Sequence, residues 1–413
     1  MKKWLLSGSL LLVILLVIMT VATGRVFEQQ LEKAVAQVAS SPGYTLVSQD
    51  IRGGLLGSEA DLELAFQLDA RTQVLISTLL VSSYRPGWTT FQGGMDMQVI
   101  WDDQEPLDFL ESVGLEELPF SGQADWSKAS YRLEVDELKS EDSDLTLHMQ
   151  EAELAGSYHY NGEQDGQLQM ERLAFTSPRA DDLEILDLEA VWQNTGGYPW
   201  GEGEMQVHAT EITYQSPLGR VQLQQPQLDY AIQLTEEALD LSMQLDTGEI
   251  TSSGRPLGQV DITFHTENLN GEAALELAEH FNQDIDWNQA DAAAMQPARD
   301  AASRLLSGSP KLVLDQLAVE LQAPFPIQQM AEGELKFDGR NLPTDYLARL
   351  SAGELPPEDF ASRVSLQLLM DEVDPNLMRL VGLPTSLLDE EADQQMLSWE
   401  KGQLRLNDQP LPF

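Results

Sequence analysis

Cysteine is absent from the 413-residue chain, which excludes disulfides, thiolate nucleophiles and cysteine-ligated metal or redox centres. Basic residues are scarce: 24 Lys and Arg stand against 68 Asp and Glu, a formal net charge of -44. The acidic excess is spread along the chain. Such a surface repels phosphate backbones and anionic headgroups, which argues against nucleic acid as a partner and suits a solvated outer face in a salty medium.

Signatures of catalysis are missing as well. There is no Gly-x-Ser-x-Gly and no phosphate-binding loop. Gly201-Glu202-Gly203 begins like a dinucleotide fingerprint but runs on into a strand pattern where a helix is needed. His148, His159, His208, His265 and His280 do not fall at metal-ligand spacing and read as surface residues. Glu141-Asp142-Ser143-Asp144 and Asp181-Asp182 lack the glycine and closing glutamate of a calcium loop. The chain is therefore expected to be non-enzymatic, without catalytic residues, cofactor-binding residues or metal ligands. Nor is there a strict internal repeat of about 20 to 50 residues.

What is present begins at the amino end. Lys2 and Lys3 precede a run from Trp4 to Thr23 that holds no charge and includes Leu11, Leu16 and Val21. Twenty helical residues span about 30 Å, the thickness of a bilayer's hydrocarbon core. The run exceeds the ~7 to 15 apolar residues of a cleaved signal peptide, so an uncleaved signal-anchor helix over residues 1–24 is expected. Lys2 and Lys3 on one side, against Arg25 followed by Glu28 and Glu32, keep the short end in the cytoplasm and put the bulk outside it. In a bacterium with two membranes that is a single-pass inner-membrane protein of the periplasm.

Phe27, Leu31, Ala34, Val35 and Val38 recur at helical spacing, so residues 25–43 read as an amphipathic juxtamembrane helix, either a stalk or a helix packed on the neighbouring sheet. From Tyr44 the period becomes two. Strands with one wet and one buried face, separated by turns such as Asn161-Gly162, define an antiparallel β domain over residues 44–270. Tyr84-Arg85-Pro86-Gly87-Trp88 reads as a bend between two of them. Residues 271–310 form a helical insertion, and 311–413 a β/α part of the same domain, with helices expected near 344–350, 375–381 and 387–395. The fold class is mainly β with a few helices (α+β), its large sheet elongated or folded over. Helices are too few to cover one face of so many strands, so the apolar face meets another sheet, a partner or a ligand.

An anchor and helix leading to Arg52-Gly53, then Gly57-Ser58 and an alternating strand, resembles the opening of the YdgA family of bacterial inner-membrane proteins. The likeness recurs at Gly271-Glu272 opening a helix and at the closing Gly402-Gln403-Leu404. Members commonly carry a His-Gly-Pro-Phe segment, and Tyr84-Arg85-Pro86-Gly87-Trp88 stands in that region without the histidine. The resemblance implies an anchored periplasmic β-rich protein and brings no catalytic residue. The expected role is non-enzymatic envelope maintenance through a protein partner; the alternative, drawn from the shortage of covering helices, is carriage of lipid or another apolar ligand in a groove lined by the apolar face of the sheet. A phosphatase reporter joined after Gly24 is expected to be active outside the cytoplasm; activity of a cytoplasmic reporter at the same junction would overturn the orientation.

Overall fold

A computed structural model describes residues 2–39, 43–69, 71–101, 106–141, 146–177, 182–195, 202–217, 219–234, 238–281, 295–322, 326–371, 373–380, 385–389, 392–400 and 402–411. The described residues form antiparallel sheet with a few helices, in two compact units. The first comprises residues 1–178 and 189–199, the second 179–188 and 200–413.

The first unit holds α1 (Lys2–Ala39), β1 (Tyr44–Gly53), β2 (Ser58–Asp69), β3 (Thr72–Arg85), β4 (Trp88–Trp101), β5 (Leu107–Asp108), α2 (Phe109–Ser112), β6 (Leu118–Ala124), β7 (Lys128–Glu141), β8 (Thr146–His159) and β9 (Glu163–Thr176). β10 (Asp182–Thr195) contributes its later residues here and its earlier ones to the second unit. The order β1-β2-β3-β4-β6-β7-β8-β9 is antiparallel throughout. Pro86 and Gly87 form the two-residue turn between Arg85 and Trp88, with Gly87 at φ +90°. Proline presets the first turn dihedral and glycine accepts the positive one.

One cross-strand row shows how the inner face is filled. Ser82 pairs with Phe91, Phe91 with Gly122, Gly122 with Tyr131, Tyr131 with Gly156, and Gly156 with Gly166. Each ring lies over a neighbouring glycine: a Cβ on Gly122 would stand 2.2 Å from Phe91 Cζ, and one on Gly156 2.7 Å from the Tyr131 hydroxyl. A side chain on either glycine would displace the ring, so these strand glycines are packing sites.

The helix is seated on that face. α1 runs unbroken through both the apolar run and the amphipathic stripe, and the stripe packs on the sheet, so it is no free stalk. Phe27 and Val35 join Ala60, Leu62, Leu80, Tyr84, Phe91 and Ala124 in one buried cluster, with the Phe27 and Phe91 rings 5.7 Å apart. Gly24 allows the close approach, because a Cβ there would lie 2.3 Å from two carbons of the buried Tyr84 ring. One turn on, Glu28 accepts a 2.6 Å hydrogen bond from the Tyr84 hydroxyl. Thr23 Oγ1 donates to Met19 O at 2.8 Å and accepts from the Gly87 amide at 3.0 Å. The side chains of residues 1–14, which include the larger part of the apolar run, lie outside the described residues. Among the described residues no helix is long and apolar enough to cross a membrane.

The second unit holds β11 (Glu202–His208), β12 (Glu211–Ser216), β13 (Gly219–Gln224), β14 (Gln227–Leu234), β15 (Ala238–Asp246), β16 (Glu249–Ser252), β17 (Arg255–Glu267), β18 (Leu269–Asn270), α3 (Gly271–Phe281), α4 (Gln296–Ser307), β19 (Lys311–Leu321), β20 (Ile327–Phe337), α5 (Tyr346–Ser351), α6 (Pro357–Arg363), β21 (Val364–Asp371), α7 (Pro375–Leu380), β22 (Gln394–Glu400), β23 (Gln403–Leu406) and β24 (Gln409–Pro410). One pairing path runs β11-β14-β15-β17-β19-β20-β21-β22-β23-β24, joined at β17 by β12-β13-β16. Met370, Val373, Met378, Leu406 and Leu411 are buried together at one end. The helix expected over 387–395 is not formed: Thr385–Leu387 is a short 3-10 turn and strand begins at Gln394. Pairing with β21 wins, and the buried Gln395 side chain accepts from Asp389 N and donates to Asp389 O, both at 2.8 Å.

The docking of α1 can be tested in two ways. A methyl at position 24 gains ~1 kcal/mol of helix propensity, whereas overpacking costs ~1–3 kcal/mol, so a larger residue is the decisive variant. Gly24→Leu is expected to lower stability by at least about 2 kcal/mol in urea titration of the full chain, against less than about 0.5 kcal/mol for leucine at exposed Ala36. The Tyr84 phenol is pushed up from 10.0 to about 12, first by burial and then by its bond to Glu28. A phenol with a raised pKa holds its proton more tightly when folded. Its contribution is therefore complete below pH 10 and declines as pH climbs towards 12. The urea midpoint is expected to fall across that window, and to fall less in Tyr84→Phe.

Candidate functional site

α1 lies against β1 to β4, and the face of β6 to β8 beside it is not covered by the helix. The result is an apolar groove of about 370 Å³ with α1 as one wall and the sheet as its floor. Residues at helical spacing build the wall: Phe27, Gln30, Leu31 and Ala34. The floor is set by strand register. Leu80, Phe120, Leu133 and Leu154 stand on successive strands of one inward row, completed between β3 and β6 by Gly93. Tyr131 comes from the glycine-filled row, and Ala129 and Tyr158 from the next. The chemistry is that of a hydrocarbon site: almost every lining atom is carbon, and nothing in the lining is ionised.

Tyr160 lines the groove beside Tyr158. Tyr160 follows β8, its amide donating to Ser127 O at 2.9 Å in the turn between β6 and β7. Its ring is tilted against Tyr158 at 6.4 Å, and its buried hydroxyl has no hydrogen-bond partner. Burial pushes the phenol up to about 12, and the negative charge of Asp125 adds to this. Tyr160 is thus a neutral donor at ordinary pH, with its bond unmade. Burial, followed by the charge of Asp165, also raises Tyr131. The groove is suited to holding a hydrocarbon chain, and its lining contains no nucleophile paired with a base.

Elsewhere the polar clusters are structural. His148 lies 2.8 Å from Glu137, and His159 3.3 Å from Asp165. His265 lies 2.7 Å from Asp315 and 3.3 Å from Glu267, while Lys311 reaches Glu267 at 3.3 Å and Glu334 at 3.0 Å. These are partly exposed pairs across neighbouring strands, of small energetic value. Among the described residues no three His, Asp or Glu converge to hold a metal ion. Asp142-Ser143-Asp144 and Asp181 lie outside the described residues.

The residues singled out in the sequence distribute unevenly. Lys2, Lys3, Trp4 and Leu11 have side chains outside the described residues, whereas Leu16 is exposed and Val21 partly buried on α1. Gly53, Gly57 and Ser58 converge behind the docked helix. A Cβ on Gly53 would meet the Glu28 carboxylate, and one on Gly57 would stand 2.2 Å from Ser82 O. Ser58 shares a 2.8 Å hydrogen bond with the Ser82 hydroxyl. These three residues position α1 and do not line the groove. Arg52 is exposed and paired with Asp50 at 2.8 Å. Gly271 and Glu272 open α3, where Asn270 Oδ1 accepts from Ala273 N at 2.7 Å, and Gly402 turns β22 into β23 at φ +78°. All three belong to the second unit.

Tyr160 and Tyr158 do not stand out in the sequence. The available signal was the alternation Tyr158-His159-Tyr160 running into the Asn161-Gly162 turn, which puts both rings at the same strand end.

The architecture has a counterpart at family level. No curated protein and no solved structure gives a match to the chain. The sequence pattern of one bacterial family matches residues 1–80 and 117–323, a span that takes in α1, the β1–β2 hairpin and most of the groove floor. On that match, covering more than half of its length, the chain belongs to the family described as "Bacterial protein of unknown function (DUF945)".

Proposed function

We propose that this chain is a single-pass inner-membrane protein of the YdgA type whose periplasmic part binds the hydrocarbon chain of a lipid, or a similar apolar ligand, in the groove beside α1. The groove itself carries the proposal: about 370 Å³, within the ~300–1,000 Å³ of small-molecule sites, and apolar throughout. It also sets ligand binding above action through a protein partner. The anchor rests on the Trp4–Thr23 run and on the exposed side chains of Leu15, Val17 and Ile18 that continue it.

Burial supplies the affinity. About ten methylenes at ~0.8 kcal/mol each give ~8 kcal/mol, equivalent to micromolar binding before the cost of association is subtracted. A carrier of membrane lipid with exchangeable, moderate affinity fits these terms.

Mass spectrometry of organic extracts tests it. The full chain purified in mild detergent is expected to retain about one acyl-chain lipid per molecule, and Ala34→Trp, which fills the groove from the α1 wall, is expected to lose it while annular lipid stays the same. Equal retention by the two proteins, or no lipid at any stage, would contradict the reading.

A further inference from the structure

The two most exposed large apolar residues described in the chain are neighbours: Leu55 is 75 % and Leu56 74 % accessible, at the tip between β1 and β2. Their display is built into the loop. Gly54 N donates to Gly57 O at 2.8 Å and Tyr84 N to Leu56 O at 2.8 Å, so the tip is pinned to β3. Gly57 lies so close to Ser82 O that a Cβ would stand 2.2 Å from it. A loop held this firmly, with both leucines turned to solvent, presents apolar surface instead of hiding it.

Its position says what covers it. Leu56 is bonded to the backbone of Tyr84, whose ring lies on Gly24, and Gly24 is the first residue after the apolar run Trp4–Thr23. The leucines therefore stand level with the point where α1 leaves that run. The neighbouring turns at this sheet end carry half-exposed Trp126, near Gly87, and Trp88 with the Arg85 guanidinium 5.0 Å over its ring. Arg25, Arg52, Arg85 and Lys128 are also here, four of the 24 basic residues of a chain of net charge -44. Asp50 is paired with Arg52, Asp125 accepts from Ser127 and the Lys128 amide, and Glu59 and Asp61 of β2 also lie near Arg52. Exposed leucines, interfacial tryptophans and a basic fringe are what a bilayer surface with anionic headgroups takes up, while the acidic remainder is repelled from it.

We infer that this rim docks on the lipid interface, with Leu55 and Leu56 below the headgroups, and that it fixes the first unit against the membrane at a second point beside the anchor. The inference rests on the anchored reading of α1. It does not depend on the groove being occupied.

Because the chain has no cysteine, a single introduced thiol is the only labelling site. The full chain carrying Leu55→Cys, Leu56→Cys or, as control, Ser112→Cys is labelled with an environment-sensitive fluorophore and reconstituted into vesicles of phosphatidylethanolamine and phosphatidylglycerol. Ser112 follows the β4–β5 pairing at Gln98–Val99, about ten residues along β4 from Trp88 and so ~33 Å from the rim. Labels at 55 and 56 are expected to shift to the blue and to be quenched several-fold by lipids brominated near the headgroup, with the label at 112 unaffected. Protein that withstands carbonate washing yet keeps 55 and 56 in water overturns the inference and leaves the anchor standing. Protein that washes off the vesicles overturns both. A blue shift without quenching by brominated lipid assigns the leucines to protein contact, and overturns the lipid assignment.

Discussion

The contact of Gly24 with the Tyr84 ring governs the first unit. A helix can lie this close to a buried phenol only where it lacks a side chain, and the approach brings Glu28 to the phenol and Thr23 to the Gly87 amide. These polar links are thereby satisfied along one line of the helix, so an apolar stripe can be laid on the sheet without orphaning their groups. Gly53 and Gly57 serve the same contact from behind, one making room for Glu28 and the other drawing β2 onto β3 at Ser82.

That seat also fixes what the helix leaves bare. Being held over β1 to β4, α1 cannot also cover β6 to β8, whose inward rows are leucine, aromatic and alanine. An apolar floor beside a fixed wall leaves a hydrocarbon-lined space beside the helix. The rim of the same seat carries Leu55, Leu56 and Trp126. The groove and the rim are thus two consequences of one helix position, and a source of lipid beside the rim would lie beside the groove as well.

Alternation made most strands legible, because each exposes one face to water and one to packing. The α1 stripe of Phe27, Leu31, Ala34 and Val35 was equally plain, and so was the antiparallel β-rich class. The groove was not legible. It depends on the lateral placement of α1, which is set by Gly24 meeting a tyrosine 60 residues later, and in the sequence Gly24 is only the end of an apolar run. The strand glycines Gly122, Gly156 and Gly166 carry their meaning through rings on neighbouring strands, which single-strand patterns cannot pair. At 387–395 the periodicity suggested a helix, and the pairing of Leu397 with Leu368 overrode it. The sequence carries no catalytic motif, whereas the apolar groove beside α1 is visible only in three dimensions.

The central claim is that the hydrocarbon chain of a lipid occupies the space between α1 and β6 to β8. Photocrosslinking in living cells, with a lipid whose acyl chain carries a diazirine, addresses it directly. Adducts mapped by peptide sequencing are predicted on residues 27–34 of the helix and on peptides spanning 129–160 of the floor. Adducts confined to the apolar run at residues 4–23, with none on the floor, would contradict it.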